Sequence, residues 1–173
     1  FSLFGQASEG QAYSYTFDDS DGAYGDSNWN GDRQLMYVPL ENDPNVVYAD
    51  DFDKEAFDAF ISAEGLARGK ISGRNAQNAD WHTTFDIKVN QELPGFVDGH
   101  KGNLFFVIKN VGNMLNDDWG VMKQGQFVGN RMVSMSIEEG KYVYEEFNAG
   151  NEDQVYYKTA SLWEMRLGVS YDF

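Results

Sequence analysis

The chain has 173 residues with 28 acidic and 13 basic side chains, and its net charge of −15 excludes nucleic acid as a partner because phosphate binding needs a positive surface. It contains no cysteine, which excludes disulfide bonds and thiolate metal sites. No run of residues approaches about 18 consecutive apolar positions, so no transmembrane helix is expected.

The first predicted strand lies near residues 1–17. Tyr13, Tyr15 and Phe17 alternate with polar residues near its end, which is typical of a strand with two different faces, and residues 8–10 interrupt it as a bulge or bend would. The chain opens on Phe1 inside this strand and shows no signal peptide. We therefore expect it to be a fragment of a longer exported protein.

Residues 18–80 are predicted to form a long loop. Its first part, 18–32, consists mainly of acids and turn formers without periodicity. A solvated loop is favoured over a calcium loop, because the spacing of the acids departs from the EF-hand pattern. Tyr24 and Trp29 are candidate ligand contacts in this part of the loop.

Two features interrupt the long loop. The apolar segment 35–39 ends at a proline and fits a loop anchor or a short edge strand. Between Phe52 and Ile61 apolar residues recur at helical spacing, with acids before them and Gly65 after them. This pattern predicts one short amphipathic helix whose apolar stripe packs on the rest of the loop.

The second predicted strand spans residues 81–93. Apolar side chains from Trp81 to Val89 alternate with polar ones from His82 to Asn90, and such a polar face suits the water-filled lumen of a wide barrel. A short turn near 94–102 leads into a third strand at 103–110, which is apolar on both faces.

Residues 111–159 are predicted to form a second long loop. It begins with an Asn-rich segment in which Asp118 and Trp119 are candidate ligand contacts. Further on, residues 131–138 and 141–147 alternate around Glu139 and Gly140, which predicts a β-hairpin. We expect this hairpin to stand above the membrane.

The fourth predicted strand, residues 160–173, has the purest alternation in the chain. Every second residue from Trp163 to Phe173 is apolar, and the residues between them are almost all polar. Its length slightly exceeds the roughly 9–11 tilted residues that cross a bilayer. Trp163 at one end and Tyr171 with Phe173 at the other would form the two aromatic girdles of a membrane barrel.

The end of this strand resembles the terminal signal of bacterial outer-membrane β-barrels, which the barrel-assembly machinery reads. The residues that carry the resemblance are Arg166, Gly168, Tyr171 and Phe173. The resemblance implies a Gram-negative protein of the cell outer membrane, in contact with lipid and lipopolysaccharide.

Several segments together are similar to the carboxyl-terminal part of TonB-dependent receptors, especially the Oar-like branch. They are Arg74 with Asn75, Trp81, Asp86, 91–95, 110–120 and 163–173. The family implies a 22-stranded antiparallel barrel with an amino-terminal plug, energised through TonB, that moves a bulky ligand across the outer membrane. The chain would then hold the last barrel strands, with the rest of the barrel and the plug elsewhere in the protein.

The order of the predicted strands agrees with this topology. If Phe173 is periplasmic, both long loops, 18–80 and 111–159, fall outside the cell and only the turn 94–102 is periplasmic. Short periplasmic turns and long extracellular loops are characteristic of these barrels.

Two other functions compete with the receptor. One is a complete small eight-stranded outer-membrane barrel, and the other is a soluble secreted β-sandwich that binds glycans through Tyr24, Trp29 and Trp119. An enzyme is not expected, because the sequence has only two histidines and none of the usual metal, serine-hydrolase or nucleotide motifs. No cofactor and no metal site are predicted.

Overall fold

Strands dominate the structure, a computed structural model that describes residues 1–18, 33–126, 129–151 and 154–173. The predicted all-β class is confirmed, and the helices among these residues are short. The strands, in chain order, are β1 (Ser2–Ser8), β2 (Ala12–Tyr13), β3 (Tyr15–Asp18), β4 (Tyr37–Val38), β5 (Val46–Tyr48), β6 (Lys70–Ile71), β7 (Gln77–Asn78), β8 (His82–Pro94), β9 (Lys101–Lys109), β10 (Lys123–Gln124), β11 (Asn130–Glu138), β12 (Lys141–Phe147), β13 (Val155–Tyr156) and β14 (Glu164–Asp172). The helices are α1 (Lys54–Ala63), α2 (Val111–Leu115) and α3 (Lys158–Ser161).

The contacts within the chain divide it into two units. Unit 1 consists of Phe1–Gly10, Asp80–Lys123 and Tyr156–Phe173, and unit 2 consists of Gln11–Ala79 and Gln124–Val155. Each unit has a four-stranded sheet of its own. No helix in the described ranges is long and apolar enough to cross a membrane.

Unit 1 is built on one antiparallel sheet with the strand order β1-β8-β9-β14, which we call the long sheet. A tight turn at residues 95–100 joins β8 to β9, and the other connections are long. The long sheet is open, because β1 and β14 are its edges and do not pair with each other in the part of the chain that the structure describes. It is therefore not a closed barrel.

Apart from shifts of one residue, the strand bounds differ from the predicted ones at three places. β9 begins at Lys101 and not at 103, and residues 158–161, which overlap the predicted start of the last strand, form helix α3. The expected single strand near 1–17 is three strands, of which only β1 belongs to the long sheet. The break between β1 and β2 falls at residues 9–11 and overlaps the predicted interruption at residues 8–10.

The alternating aromatics after this break belong to the core of unit 2. Tyr13, Tyr15 and Phe17 are buried there, so their alternation reflects a protein interior and not a membrane-facing surface. The two predicted long loops are therefore not plain loops, because most of their described residues build a unit with a hydrophobic core.

The sheet of unit 2, which we call the core sheet, has the order β3-β11-β12-β5. The hairpin predicted around Glu139 and Gly140 is confirmed as β11 and β12. Both turn residues have positive φ angles, 51° and 77°, as the tightest hairpin turns require. β3 and β5 extend the hairpin as parallel strands on its two sides.

Helix α1, which the apolar spacing predicts, packs on this sheet. The Asp53 carboxylate accepts the backbone N–H of Ala56 (2.9 Å) and thereby caps the first turn. Phe57, Phe60 and Ile61 recur on one face of the helix and are buried.

Phe57 lies at the centre of an aromatic cluster. Its ring contacts Phe52, Phe60, Tyr144 and Phe147, with centroids 5.4 to 6.4 Å apart. Since Phe57 is fully buried, this cluster joins α1 to β12 and closes the core of unit 2.

We expect Phe57→Ala to destabilise unit 2 by about 3–5 kcal/mol, because a large buried ring is replaced by a cavity. Denaturant unfolding followed by near-ultraviolet circular dichroism measures the loss. Ile137→Ala, at an exposed position of the hairpin, is the control and should change the stability by less than about 1 kcal/mol. Equal losses in the two variants would contradict the assigned core.

Asp58 of α1 forms ion pairs with Lys54, one turn earlier in the helix, and with Arg68, which follows the helix. Partial burial opposes the ionisation of Asp58, but hydrogen bonds from Lys54 and Arg68, each 2.7 Å long, outweigh this and hold the pKa of Asp58 below its usual value. A carboxylate with a lowered pKa stabilises the fold above its unfolded pKa of about 3.9, and this contribution is lost as the pH falls through the lower folded pKa.

Asp58→Asn should therefore lower the stability near neutral pH by at most about 1 kcal/mol, since the side chain is partly exposed and screened by solvent. The difference from the wild type should disappear well below a pH of about 3.9. Denaturant midpoints of both proteins at the two pH values measure it. A difference that does not change with pH would show that the ion pairs contribute nothing.

Candidate functional site

The pairing of the long sheet gathers apolar side chains on one face. One row of paired residues, Leu3, Ile87, Ile108 and Met165, crosses all four strands. Because side chains alternate between the faces of a strand, the residues two positions before and after each of these share the face. We call this surface the apolar face, and its other large members are Phe85, Val89, Leu93, Leu104, Phe106, Leu167, Val169 and Tyr171.

The apolar face is largely exposed. Leu3, Leu167 and Val169 have 64 to 73% of their surface accessible, although they are among the most apolar residues of the sheet. Exposed apolar patches of this extent mark a surface that contacts another protein or a membrane. The apolar face is thus the most conspicuous candidate for a functional surface.

The opposite face of the long sheet, which we call the polar face, is chemically different. It carries charged side chains on every strand except β1, which contributes Ser2, Gln6 and Ser8. Phe4, Phe105 and Val107 are apolar members of this face, and the ring of Phe105 lies against Gly168, where any side chain would collide with it. A glycine is therefore required opposite this ring.

Aromatic residues lie at both ends of the long sheet. Trp81 and Trp163 immediately precede β8 and β14 and are exposed. At the other end, Phe96 of the short turn stacks on Tyr171, with ring centroids 5.8 Å apart. The sequence predicts Trp163 and Tyr171 at these two ends but misses Phe96, whose position in a turn after a Pro-Gly pair could have indicated it.

The four residues of the predicted assembly signal all lie on or just after β14. Arg166 forms a bidentate ion pair with the Glu164 carboxylate on the polar face, and Gly168 lies under the ring of Phe105. The Tyr171 hydroxyl accepts the backbone N–H of Phe96 (3.0 Å) and thereby joins β14 to the short turn. Phe173 is almost fully exposed.

Asn110 holds together the end of the long sheet where β9 stops. Its backbone N–H donates to the Asp86 carboxylate (2.9 Å), and its side-chain amide donates to the carbonyl oxygens of Gly120 (2.9 Å) and Ser161 (2.7 Å). It also adopts the left-handed conformation, with φ at 49°, which asparagine tolerates better than most residues. One buried side chain thus connects three segments of unit 1.

The asparagines that follow shape the segment 110–120. Asn113 donates to the carbonyl oxygens of Asp117 (3.0 Å) and Trp119 (3.1 Å), and Asn116 accepts the backbone N–H of Asp118 (2.9 Å). These bonds replace backbone pairing in an irregular stretch and fix the positions of Asp118 and Trp119. The Asn-rich composition therefore has a structural cause.

Asp118 and Trp119 line a cleft of about 330 Å³ within unit 1, beside the start of β8. Trp81, His82 and Phe85 form much of the remaining lining. A lining that combines a carboxylate with two indole rings suits a ligand that has an apolar face and hydrogen-bond donors. We call this the Trp cleft.

The other two predicted contacts, Tyr24 and Trp29, lie outside the described residues. Among the residues that are described, no group of three or more histidine, aspartate or glutamate side chains could hold a metal ion. Comparisons with protein families, with curated proteins and with solved structures found no match.

We expect Asn110→Ala to destabilise its end of the long sheet by about 2–4 kcal/mol, because two carbonyl groups lose their donor and the positive φ angle becomes strained. Hydrogen exchange of peptides that cover 110–122 and 157–164 measures the local effect. Asn110→Gly removes the same bonds without backbone strain, so its exchange should accelerate less. Exchange that stays at the wild-type rate in both variants would contradict the role of Asn110.

Proposed function

We propose that the long sheet is part of the wall of an outer-membrane β-barrel, and that the protein is a receptor of the TonB-dependent kind that moves a bulky ligand across the outer membrane. The observation that carries the membrane assignment is the exposed apolar face, whose rows of paired side chains cross all four strands. In water this surface is unfavourable, whereas in a bilayer it contacts hydrocarbon.

The dimensions of the apolar face fit a bilayer. From position 163 to position 171 the last strand advances by eight steps of about 3.3 Å, or about 26 Å. A tilt of about 40° reduces this to about 20 Å across the membrane, close to the apolar band of about 25 Å in outer-membrane barrels. Trp163 and Tyr171 then lie near the two interfaces, where amphipathic aromatic rings are favoured.

The polar face supports a water-filled lumen. Lys88, Asn90 and Arg166 lie on this face away from the ends of the sheet, where a dry protein interior would require buried partners for each of them. In a wide barrel, water solvates these side chains. If one face of the long sheet contacts lipid and the other contacts water, the alternation of apolar and polar side chains along its strands is explained.

The open edges of the long sheet imply additional strands. In the described part of the chain no strand pairs with the outer edge of β1 or of β14, and each unpaired N–H or C=O group costs several kcal/mol in hydrocarbon. Four strands are too few to close a barrel, for which about eight is the smallest number. We therefore propose that the rest of a larger barrel, of 22 strands in the receptor family, pairs with these edges.

The transport class rests on the resemblance of segments 110–120 and 163–173 to TonB-dependent receptors. The Trp cleft would then face the outside of the cell, and Asp118 and Trp119 would contact the ligand there. Tyr24 and Trp29 remain candidate contacts predicted from the sequence alone. TonB, the plug and the barrel-assembly machinery are the expected protein partners.

The two alternatives receive less support. A soluble sandwich would cover the apolar face with a second sheet, and the exposure of Leu167 and Val169 argues against such a cover. A complete eight-stranded barrel would need its remaining strands from unit 2, whose core sheet has its own buried interior.

Val89→Arg should lower the stability of the membrane-embedded protein by about 2–4 kcal/mol, because position 89 lies in the central row with Phe106 and Leu167. Asn90→Arg places the same side chain on the polar face of the same strand and should cost less than about 1 kcal/mol. Urea unfolding from lipid vesicles measures both values.

The two variants introduce the same residue at nearly the same depth in the membrane. They therefore differ mainly in the face of the strand that carries the new arginine. Equal losses in the two variants would contradict the membrane orientation. A larger loss for Asn90→Arg would reverse it.

A further inference from the structure

The arginines of the chain fall into two groups. Arg68, Arg131 and Arg166 each lie within 4 Å of a carboxylate, as the ion pairs to Asp58 (2.7 Å), Asp18 (3.8 Å) and Glu164 illustrate. Arg33 and Arg74 form no ion pair with any residue that the structure describes. In a chain with a net charge of −15, two arginines that pair with none of the described carboxylates are a notable feature.

Arg33 and Arg74 line the same cleft of unit 2, which has a volume of about 640 Å³ and which we call the Arg cleft. This volume lies within the range of cavities that bind small molecules. Leu35, Ile71 and Tyr142 give the cleft an apolar part beside the two arginines. The lining thus combines positive charge with apolar surface.

The backbone around Arg74 is held on both sides. Asn75, which has a positive φ angle of 51°, donates its backbone N–H to the Ser14 hydroxyl (2.7 Å), and that hydroxyl donates to the Asn75 side-chain oxygen (3.3 Å). Before Arg74, Ser72 donates its N–H to the carbonyl of Met36 (2.7 Å) and its hydroxyl to the carbonyl of Tyr15 (2.9 Å). Such anchoring lowers the entropy lost when a ligand binds.

We propose that the Arg cleft binds an organic anion, with its carboxylate or phosphate group held by Arg33 and Arg74 and its apolar part against Tyr142 and Ile71. The planar guanidinium group presents two N–H donors that match two oxygens of a carboxylate or phosphate group, and it forms strong, charge-assisted hydrogen bonds with them. An anion also relieves the repulsion between two positive charges that share a cleft. The inference goes beyond the membrane role, because every residue in it belongs to unit 2.

The wild-type protein tests the ligand class directly. Phenyl phosphate and benzoate, titrated separately into the folded protein by calorimetry, distinguish phosphate from carboxylate, and at least one of them should bind saturably. Inorganic phosphate lacks the apolar part and benzyl alcohol lacks the charge, so each should bind at least about tenfold more weakly. Saturation by neither aryl anion, or equal binding of benzyl alcohol, would overturn the proposal.

Two variants test the residues. Arg33→Gln and Arg74→Gln should each weaken binding of the better probe by about tenfold or more. Lys141→Gln is the matched control, since it removes one positive charge from an exposed position of unit 2 outside the lining of the cleft, and it should leave the affinity within about twofold. Near-ultraviolet circular dichroism checks that each variant is folded.

Unchanged affinity in both arginine variants, or an equal loss in Lys141→Gln, would overturn the assignment to these residues. If an arginine variant does not fold, the comparison of the four probes on the wild type still decides. None of these titrations depends on the membrane assignment, so a failure here leaves that proposal unaffected.

Discussion

The antiparallel register of the long sheet is the constraint on which the rest of unit 1 depends. Because the side-chain period of a strand is two, a shift of one residue in any strand would move its apolar side chains to the polar face. The observed register places Val89, Phe106 and Leu167 in one row and keeps the charged side chains on the other face. The two-faced sheet, and the membrane function proposed from it, follow from this alignment.

Side-chain hydrogen bonds complete the structure where strand pairing ends. Asn110 connects the ends of three segments at one end of the long sheet, and Tyr171 connects the last strand to the short turn at the other. Unit 2 is stabilised differently, because its sheet packs on an aromatic core around Phe57 and Tyr144. The two units therefore rely on different interactions.

Local periodicity predicted β8, β14, helix α1 and the hairpin of unit 2, because each pattern reflects contacts within one segment. β9 was predicted from a short run that is apolar on both faces, and β1 only as part of a longer strand. Periodicity could not show that Tyr15 and Phe17 enter a protein core, since alternation has the same form beside lipid and beside a buried interior. Asp86 belongs to the side of its strand that is predicted to face the lumen. Its hydrogen bond with the Asn110 backbone could not be predicted from local periodicity, because the two residues are 24 positions apart. The Arg cleft was missed for the same reason, because its residues come from distant segments.

The most direct measurement of the central claim is a scan of spin labels along β14. A label at each position from 164 to 172 in the membrane-reconstituted protein reports collisions with oxygen, which concentrates in lipid, and with a water-soluble nickel complex. Labels that replace Met165, Leu167 and Val169 should collide mainly with oxygen, and labels at Arg166 and Ser170 mainly with the nickel complex. Loss of this alternation, or contact of the label at 167 with water, would contradict a membrane-facing sheet.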